Sequence, residues 1–266
     1  MVNSLKVGNG FHSIFIGSVI GGEKMYKHFS KKYDEWATFY DPQKVELKTI
    51  LNNVPLNNKR VLDIGCGTGR LSFLLSPYVD SLLGIDVDKQ SIDFCNQKKA
   101  QDSSYEKCVF ACADILNYFS EDKFDIVFFS WSLYQTNDME TAIINAKKAL
   151  TPFGKLVILQ PISGQQDAIF DIEVKRTNKH YDQIIDKQLL LCDKHFTSVN
   201  TEDIITEFVY PSIDCAIRAN AFFYELFSGG ITQEICDDLK RQLMPCVDAN
   251  GYVHVSDITK IIVCSL

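Results

Sequence analysis

Ten residues constrain this chain more than any others: VLDIGCGTGR, positions 61 to 70. An apolar run with strand character ends in three alternating glycines, Gly65, Gly67 and Gly69, and a helical pattern begins at once. Glycine suits such a turn because the chain bends sharply there and a ligand has to lie against bare backbone. A glycine-rich turn does not by itself identify the ligand, since nicotinamide-dinucleotide enzymes also place one after their first strand. Two departures matter. The dinucleotide fingerprint needs Gly or Ala three residues after its second glycine, and Arg70 stands there. Asp63, two positions before the first glycine, would repel a pyrophosphate, whereas its carboxylate could bridge to an ammonium group.

From residue 61 to 160 short apolar runs alternate with helical patterns, as βαβ units around a parallel sheet require. The strands are expected at Val61 to Ile64, Leu82 to Asp86, Val109 to Ala111, Phe124 to Ser130 and Lys155 to Gln160. Leu71, Leu74, Leu75 and Tyr78 share one helix face between the first two strands. Asp138 to Leu150 reads as a helix with Ile143, Ala146 and Leu150 inward, stopped near Pro152 and Gly154. Residues 162 to 195 are polar and helical in character. They are followed by a strand in DIITEFVY, two helices broken at Gly229-Gly230, and a last strand in KIIVCSL. The expected organisation is a helical lid and substrate region over 1–50 and a cofactor-binding core over 51–161. Residues 162–266 form a variable capping region whose strands complete the same domain. The opening residues, through Lys24, read as a helix that packs on the rest or closes over a site.

On these residues the sequence resembles the class I S-adenosylmethionine-dependent methyltransferases, whose first motif has the form [VIL]-L-D-x-G-x-G-x-G. The resemblance implies an α/β, Rossmann-like fold: a mostly parallel seven-stranded sheet with helices on both faces and an N-terminal helical lid. It implies S-adenosyl-L-methionine as cofactor, S-adenosyl-L-homocysteine as product, and no metal. Gly65, Cys66 and Gly67 would then form the cofactor loop, and Asp63 would reach the methionine ammonium. Asp86, nineteen residues past Gly67, would accept from both ribose hydroxyls, with Val87 beside it. Asp114 and Ile115 would border the adenine, and Ser130 and Trp131 the methionine end. Taken alone, Asp86 also fits a solvated turn residue and Asp114 a helix N-cap. Cys66 also reads as a small filler valued for its backbone N–H.

A net charge of −7 argues against an extended nucleic-acid surface, which needs clustered Lys and Arg. Nine cysteines without a Cys-x-x-Cys pair read as reduced, mostly buried thiols of a cytoplasmic protein. No apolar run is long enough to span a bilayer, and the opening segment lacks the features of a signal peptide. The five histidines are dispersed, with no recognisable metal spacing.

Tyr33, Trp36, Ala37 and Tyr40 share one helix face ahead of the glycine loop. Such a stripe serves equally as core or as an aromatic wall for a sulfonium and its acceptor. Tyr33, Asp34 and Ala37 form a Y-D-x-x-A pattern that resembles the helix covering the methionine end in many of these enzymes. The length, the lid and the Trp36/Tyr40 pair resemble the peptide N-methyltransferases of plantazolicin-type biosynthesis. That likeness implies dimethylation of an N-terminal arginine α-amine on an azole-rich peptide, with Trp36 and Tyr40 positioning the amine. An acidic protein suits a cationic acceptor. The alternative is a diffusible small molecule such as an amine, quinone or polyketide, methylated on N or O. A cofactor-holding protein without transfer activity and a nicotinamide oxidoreductase are the readings from other classes. Tyr134, Gln135, Asp138, Tyr181 and Asp182 are further candidates for the acceptor site.

Overall fold

The computed structural model describes residues 23–118, 121–162, 164–170 and 178–266; the expected helix in the opening segment falls largely on residues 1–22, outside them. Seven strands form one sheet: β1 (Arg60–Ile64), β2 (Ser81–Asp86), β3 (Cys108–Cys112), β4 (Phe124–Ser130), β5 (Leu150–Ile162), β6 (Ser198–Tyr210) and β7 (Val253–Ser265). Their order is β3-β2-β1-β4-β5-β7-β6. Strands β1 to β5 are parallel, and β7 runs antiparallel to β5 and β6. The Rossmann-like, mostly parallel sheet is thus the one the motif implies. Because β1 pairs with both β2 and β4, the chain order reverses beside it, and a crevice opens at the carboxyl ends of those strands.

Both sheet faces are covered, so the central strands are apolar throughout rather than alternating. On one face Val61, Leu82, Phe128 and Val157 pack against α2 (Val45–Asn53), α3 (Arg70–Leu75) and α4 (Lys89–Ala100). On the other, Leu62, Val127 and Ile158 meet α5 (Met139–Ala149) and α7 (Asn178–His195). A third cluster joins Trp36 and Tyr40 to α6 (Gln165–Phe170), to the ends of β6 and β7, to α8 (Ile213–Ser228) and to α9 (Gln233–Leu243). The helix α1 (Glu23–Ala37) is tied to α4 by Lys98–Asp34 at 2.8 Å and to α8 by Lys32–Glu225 at 2.6 Å. Its end is stitched to β6, where Asp41 N–H donates to the Glu207 carbonyl and Val209 N–H to that of Phe39.

The largest differences from the sequence expectation lie in β5, β6 and β7. The helix before β5 ends at Ala149, so Pro152 and Gly154 lie inside β5 and do not separate it from the helix. The ladder absorbs them through a register shift between Phe124 and Ile126. Strands β6 and β7 are longer than their apolar cores, because thirteen residues pair along an alternating segment whose outward positions on β7 include His254, Ser256 and Lys260. No helix among the described residues is long and apolar enough to cross a membrane. The nine cysteines are free, and five of them are buried.

Candidate active site

A cavity of about 450 Å³ opens at the carboxyl ends of β1, β2 and β4, within the size range of small-molecule sites. Its floor is the glycine loop, with φ of 69° at Gly65, 52° at Gly67 and 83° at Gly69. The loop is fixed from below: the Gly65 and Cys66 N–H groups donate to the Ile85 carbonyl at 2.8 and 3.0 Å. A Cβ on Gly65 would stand 2.5 Å from the Ser132 Cβ, whose Oγ donates to the Ile64 carbonyl at 2.6 Å. A Cβ on Gly67 would meet no protein atom within 4 Å, so the loop there faces open space. The Cys66 thiol is pushed up by its hydrogen bond with Cys95 and by burial, which leaves it a packing group and no nucleophile.

Asp63 is buried beneath this loop. Its Oδ2 accepts from Ser72 Oγ at 2.6 Å, while Oδ1 has no protein partner. Burial raises its carboxyl to about 6 against the opposing pull of the Ser72 hydroxyl and Arg70. Asp86 accepts from Gly67 N–H and Asp88 N–H, both at 2.8 Å, and burial raises its pKa as well. Each oxygen keeps a further lone pair for a ligand hydroxyl. Asp114 accepts Leu116 N–H at 2.9 Å in a turn, with no helix there for it to cap, and borders the cavity with Val87 and Ile115.

Sequence reasoning passed over the strongest electrostatic feature. Arg70, noted above only as a missing glycine, is half-buried at the cavity wall and donates to Glu46 Oε1 at 2.7 Å and to Ser130 Oγ at 2.8 Å. Its guanidinium lies 4.2 Å from the Trp131 ring centroid and 5.1 Å from that of Tyr40. Glu46 is fully buried on α2 beside Leu47 and Ile50, so a carboxylate on an otherwise apolar helix face was the available signal. Burial alone would lower the Arg70 pKa; the adjacent Glu46 carboxylate more than reverses this. Trp131 is held at φ 56°, a left-handed conformation costly for a bulky residue.

The aromatic stripe divides. Tyr33 and Trp36 line the cavity, their rings 5.3 Å apart. Tyr40 lies past the end of α1, off the helix face expected for it, and is not in the wall: its hydroxyl donates to Glu46 Oε2 at 3.0 Å, behind Arg70. Ser130, Trp131, Tyr134, Gln135 and Tyr181 are in the wall. Asp138 instead caps α5 through Thr141 N–H at 3.0 Å, and Asp182 is exposed outside the cavity. Phe170, Phe208 and Phe223 complete an aromatic chamber with a buried amide network that the sequence did not disclose. Within it Trp36 Nε1 and Gln166 Nε2 donate to Asn220 Oδ1 at 3.0 and 2.9 Å, and Asn220 Nδ2 donates to Tyr210 Oη at 3.1 Å.

Replacing Asn220 with leucine leaves the Trp36 and Gln166 donors buried without an acceptor. The expected cost is about 3 kcal/mol, at one to three per orphaned group. Urea unfolding measures it; a loss under about 0.5 kcal/mol would show the network to be incidental.

The methyltransferase domain family model matches residues 55–241. Among curated relatives, an uncharacterized methyltransferase of Schizosaccharomyces pombe is 28% identical over 152 residues, covering 53% of this chain and 52% of that protein. A ubiquinone biosynthesis O-methyltransferase of Coxiella burnetii is 32% identical over 42% of this chain and 47% of its own. The chain spans about half the length of the curated relatives it matches. Among solved structures, the YcgJ protein of Bacillus subtilis aligns with a TM-score of 0.55 at 16% identity, covering 84% of this chain and 97% of that one. A putative S-adenosyl-L-methionine-dependent methyltransferase of Methanococcus maripaludis gives 0.57 at 20% identity, over 70% and 92%. At such identities the structures speak for the fold alone. With the glycine loop, the buried Asp63 and the family match over residues 55–241, the chain belongs to the methyltransferase domain family, the class I S-adenosylmethionine-dependent methyltransferases.

Proposed function

We propose that this protein methylates an amine carried on an apolar, flat body. The N-terminal α-amine of an azole-modified peptide is the acceptor that its resemblance to the plantazolicin-type enzymes implies. The observation that carries the reading is the partnerless Asp63 Oδ1 at the head of a cavity that opens into an aromatic chamber. The residues fit S-adenosyl-L-methionine. Asp63 would take the ammonium, bare Gly67 leaves room, Asp86 would receive the ribose hydroxyls, and Asp114 with Val87 and Ile115 would border the adenine. The cofactor, when bound, supplies a methyl group on a sulfonium. Trp131 stands at the chain's transition from loop floor to acceptor chamber, fixed by Arg70 and by its backbone N–H, which donates to the Leu159 carbonyl at 2.9 Å. Tyr33, Trp36 and Phe223 would hold the acceptor's flat body and exclude water, so that alignment supplies much of the rate. Among the described residues that line the cavity there is no histidine or lysine.

O-methylation of a diffusible acceptor is the second reading, favoured by relatives such as the Coxiella burnetii enzyme and a malonyl-[acyl-carrier protein] O-methyltransferase of Priestia megaterium, 27% identical over 51% of this chain. Mass spectrometry separates the two after incubation with S-adenosyl-L-methionine and a panel of azole peptides with N-terminal Arg or Lys, small amines and phenols. Products on amines support N-methylation; products on phenols alone overturn it.

A pH dependence follows from Asp63. Its pKa of about 6 lies above the unfolded value, so in the free protein the carboxyl is protonated below that pH and cannot pair with an ammonium. Affinity for S-adenosyl-L-homocysteine is expected to rise through pH 6 and to weaken roughly tenfold per unit below it, the slope of one linked proton. Asp63→Asn should bind weakly and lose that slope; an unchanged slope by calorimetry would remove Asp63 from the ammonium site.

A further inference from the structure

The wall just beyond β4 holds a side-chain carbonyl that the account above leaves unused. Gln135 closes a short 3-10 turn, Leu133–Gln135, past the carboxyl end of β4, and lines the cavity beside Trp131 and Tyr134. Its amide has one permitted orientation. The end that stands 2.8 Å from the Trp131 carbonyl, which can only accept, must be Nε2, and the Tyr134 hydroxyl at 3.4 Å is a second contact of the same nitrogen. Oε1 is therefore the opposite end. It has no hydrogen-bond partner among the described residues, and Gln135 is half-buried at the cavity wall. The neighbouring hydroxyls are engaged elsewhere: Ser132 donates to the Ile64 carbonyl at 2.6 Å, Thr136 to that of Leu133 at 2.8 Å, and Ser130 Oγ accepts from Arg70. Gln166, the other glutamine lining the cavity, differs, since its Oε1 already accepts from the Tyr210 hydroxyl at 3.3 Å.

We propose that Gln135 Oε1 accepts an N–H of the acceptor amine and so turns its lone pair toward the methyl group, an assignment that rests on the N-methylation reading of the same cavity. A neutral amine can donate a hydrogen bond and still keep its lone pair for attack. Transfer forms the N–C bond as the S–C bond breaks with its electron pair left on sulfur, the positive charge passes to nitrogen, and the methylated ammonium later gives its surplus proton to water. The N–H held by Oε1 becomes a stronger donor as that charge develops. The contact therefore tightens toward the transition state and acts on kcat more than on KM. The neutrality of the amide matters as well. A carboxylate in its place would favour the ammonium form, which has no lone pair to give, whereas an amide oxygen leaves the amine free to arrive neutral. The acceptor class that follows is a primary or secondary amine, since a tertiary amine brings no N–H to Oε1.

The test uses the full chain loaded with S-adenosyl-L-homocysteine and two neutral probes, N-methylaniline and N,N-dimethylaniline, titrated by NMR at neutral pH into wild type and Q135M. The probes differ in the N–H, and comparing the ratio of their dissociation constants between the two proteins cancels the effect of the extra methyl group. That ratio is expected to shift about fivefold against N-methylaniline in Q135M, the scale of one neutral hydrogen bond, with S-adenosyl-L-homocysteine affinity unchanged. With an amine from the panel that is turned over, kcat of Q135M should fall about tenfold to a hundredfold while KM changes less than about threefold, a split that a purely structural role would not produce. Q135L supplies the same comparison where Q135M loses S-adenosyl-L-homocysteine binding. A probe ratio that is the same in wild type and variant, or an unchanged kcat, would overturn the assignment and leave methyl transfer standing. Products on phenols alone, or failure of wild type to bind S-adenosyl-L-homocysteine, would overturn the N-methylation reading and this assignment with it.

Discussion

Arg70→Met is expected to destabilise the protein by about 3–5 kcal/mol, because it leaves the Glu46 carboxylate in a site with no exposure and no cation. At roughly 2–4 °C per kcal/mol for a chain of this size, the thermal midpoint should fall by about 6–20 °C. Glu46→Leu alone should cost a similar amount, since it strands the guanidinium between the Tyr40 and Trp131 rings. The triple variant Tyr40→Phe, Glu46→Leu, Arg70→Met removes every polar end of the cluster apart from the Ser130 hydroxyl, and should regain most of the loss. Urea unfolding of the four proteins completes the cycle. A triple variant as unstable as the sum of its parts would mean that the ion pair itself contributes, beyond avoiding a stranded charge.

Gly65→Ala is expected to cost about 2–5 kcal/mol and to abolish cofactor binding. A non-glycine residue at φ 69° loses 1–2 kcal/mol to backbone sterics. The new methyl would overlap Ser132 Cβ at 2.5 Å, and forced packing adds 1–3 kcal/mol more. Gly67→Ala makes the contrast. Its φ of 52° carries a similar backbone cost, but the methyl meets no protein atom within 4 Å. Thermal stability should therefore drop by only about 1–2 kcal/mol, while S-adenosyl-L-homocysteine affinity falls at least tenfold as the methyl enters the space in front of the loop. Equal stability losses in the two variants would show that the second position has no special relation to the cavity.

The parallel part of the sheet was legible because buried strands and a glycine loop are local signals: a run of apolar residues, a turn, a helix. The positions of Asp63, Asp86, Asp114 and Ser130 around one cavity follow from that frame, since each stands at or just beyond the carboxyl end of a strand. The antiparallel pair β6–β7 was seen only at its apolar ends, because its outward positions alternate with polar residues and its register comes from a partner distant in sequence. The aromatic chamber was harder for the same reason. Gln166, Asn220 and Asp257 come from three separate elements, and nothing in any one of them shows that they meet. The aromatic stripe shows what periodicity cannot resolve. Trp36 lies on α1 and borders the cavity, whereas the helix ends at Ala37 and Tyr40, bridged to Phe208 on β6, stands behind Arg70 with its hydroxyl on Glu46, so the helical spacing does not carry through to Tyr40.

The central claim is that the glycine loop with Asp63 receives the methionine end of S-adenosyl-L-methionine and not a pyrophosphate. Calorimetric titration of the full chain with S-adenosyl-L-homocysteine and, separately, with NADH tests it most directly. Saturable binding of one S-adenosyl-L-homocysteine per chain, at least tenfold weaker in Gly67→Ala and weakened in Asp63→Asn, with no heat from NADH, is the expected result. Binding of NADH without S-adenosyl-L-homocysteine would contradict it.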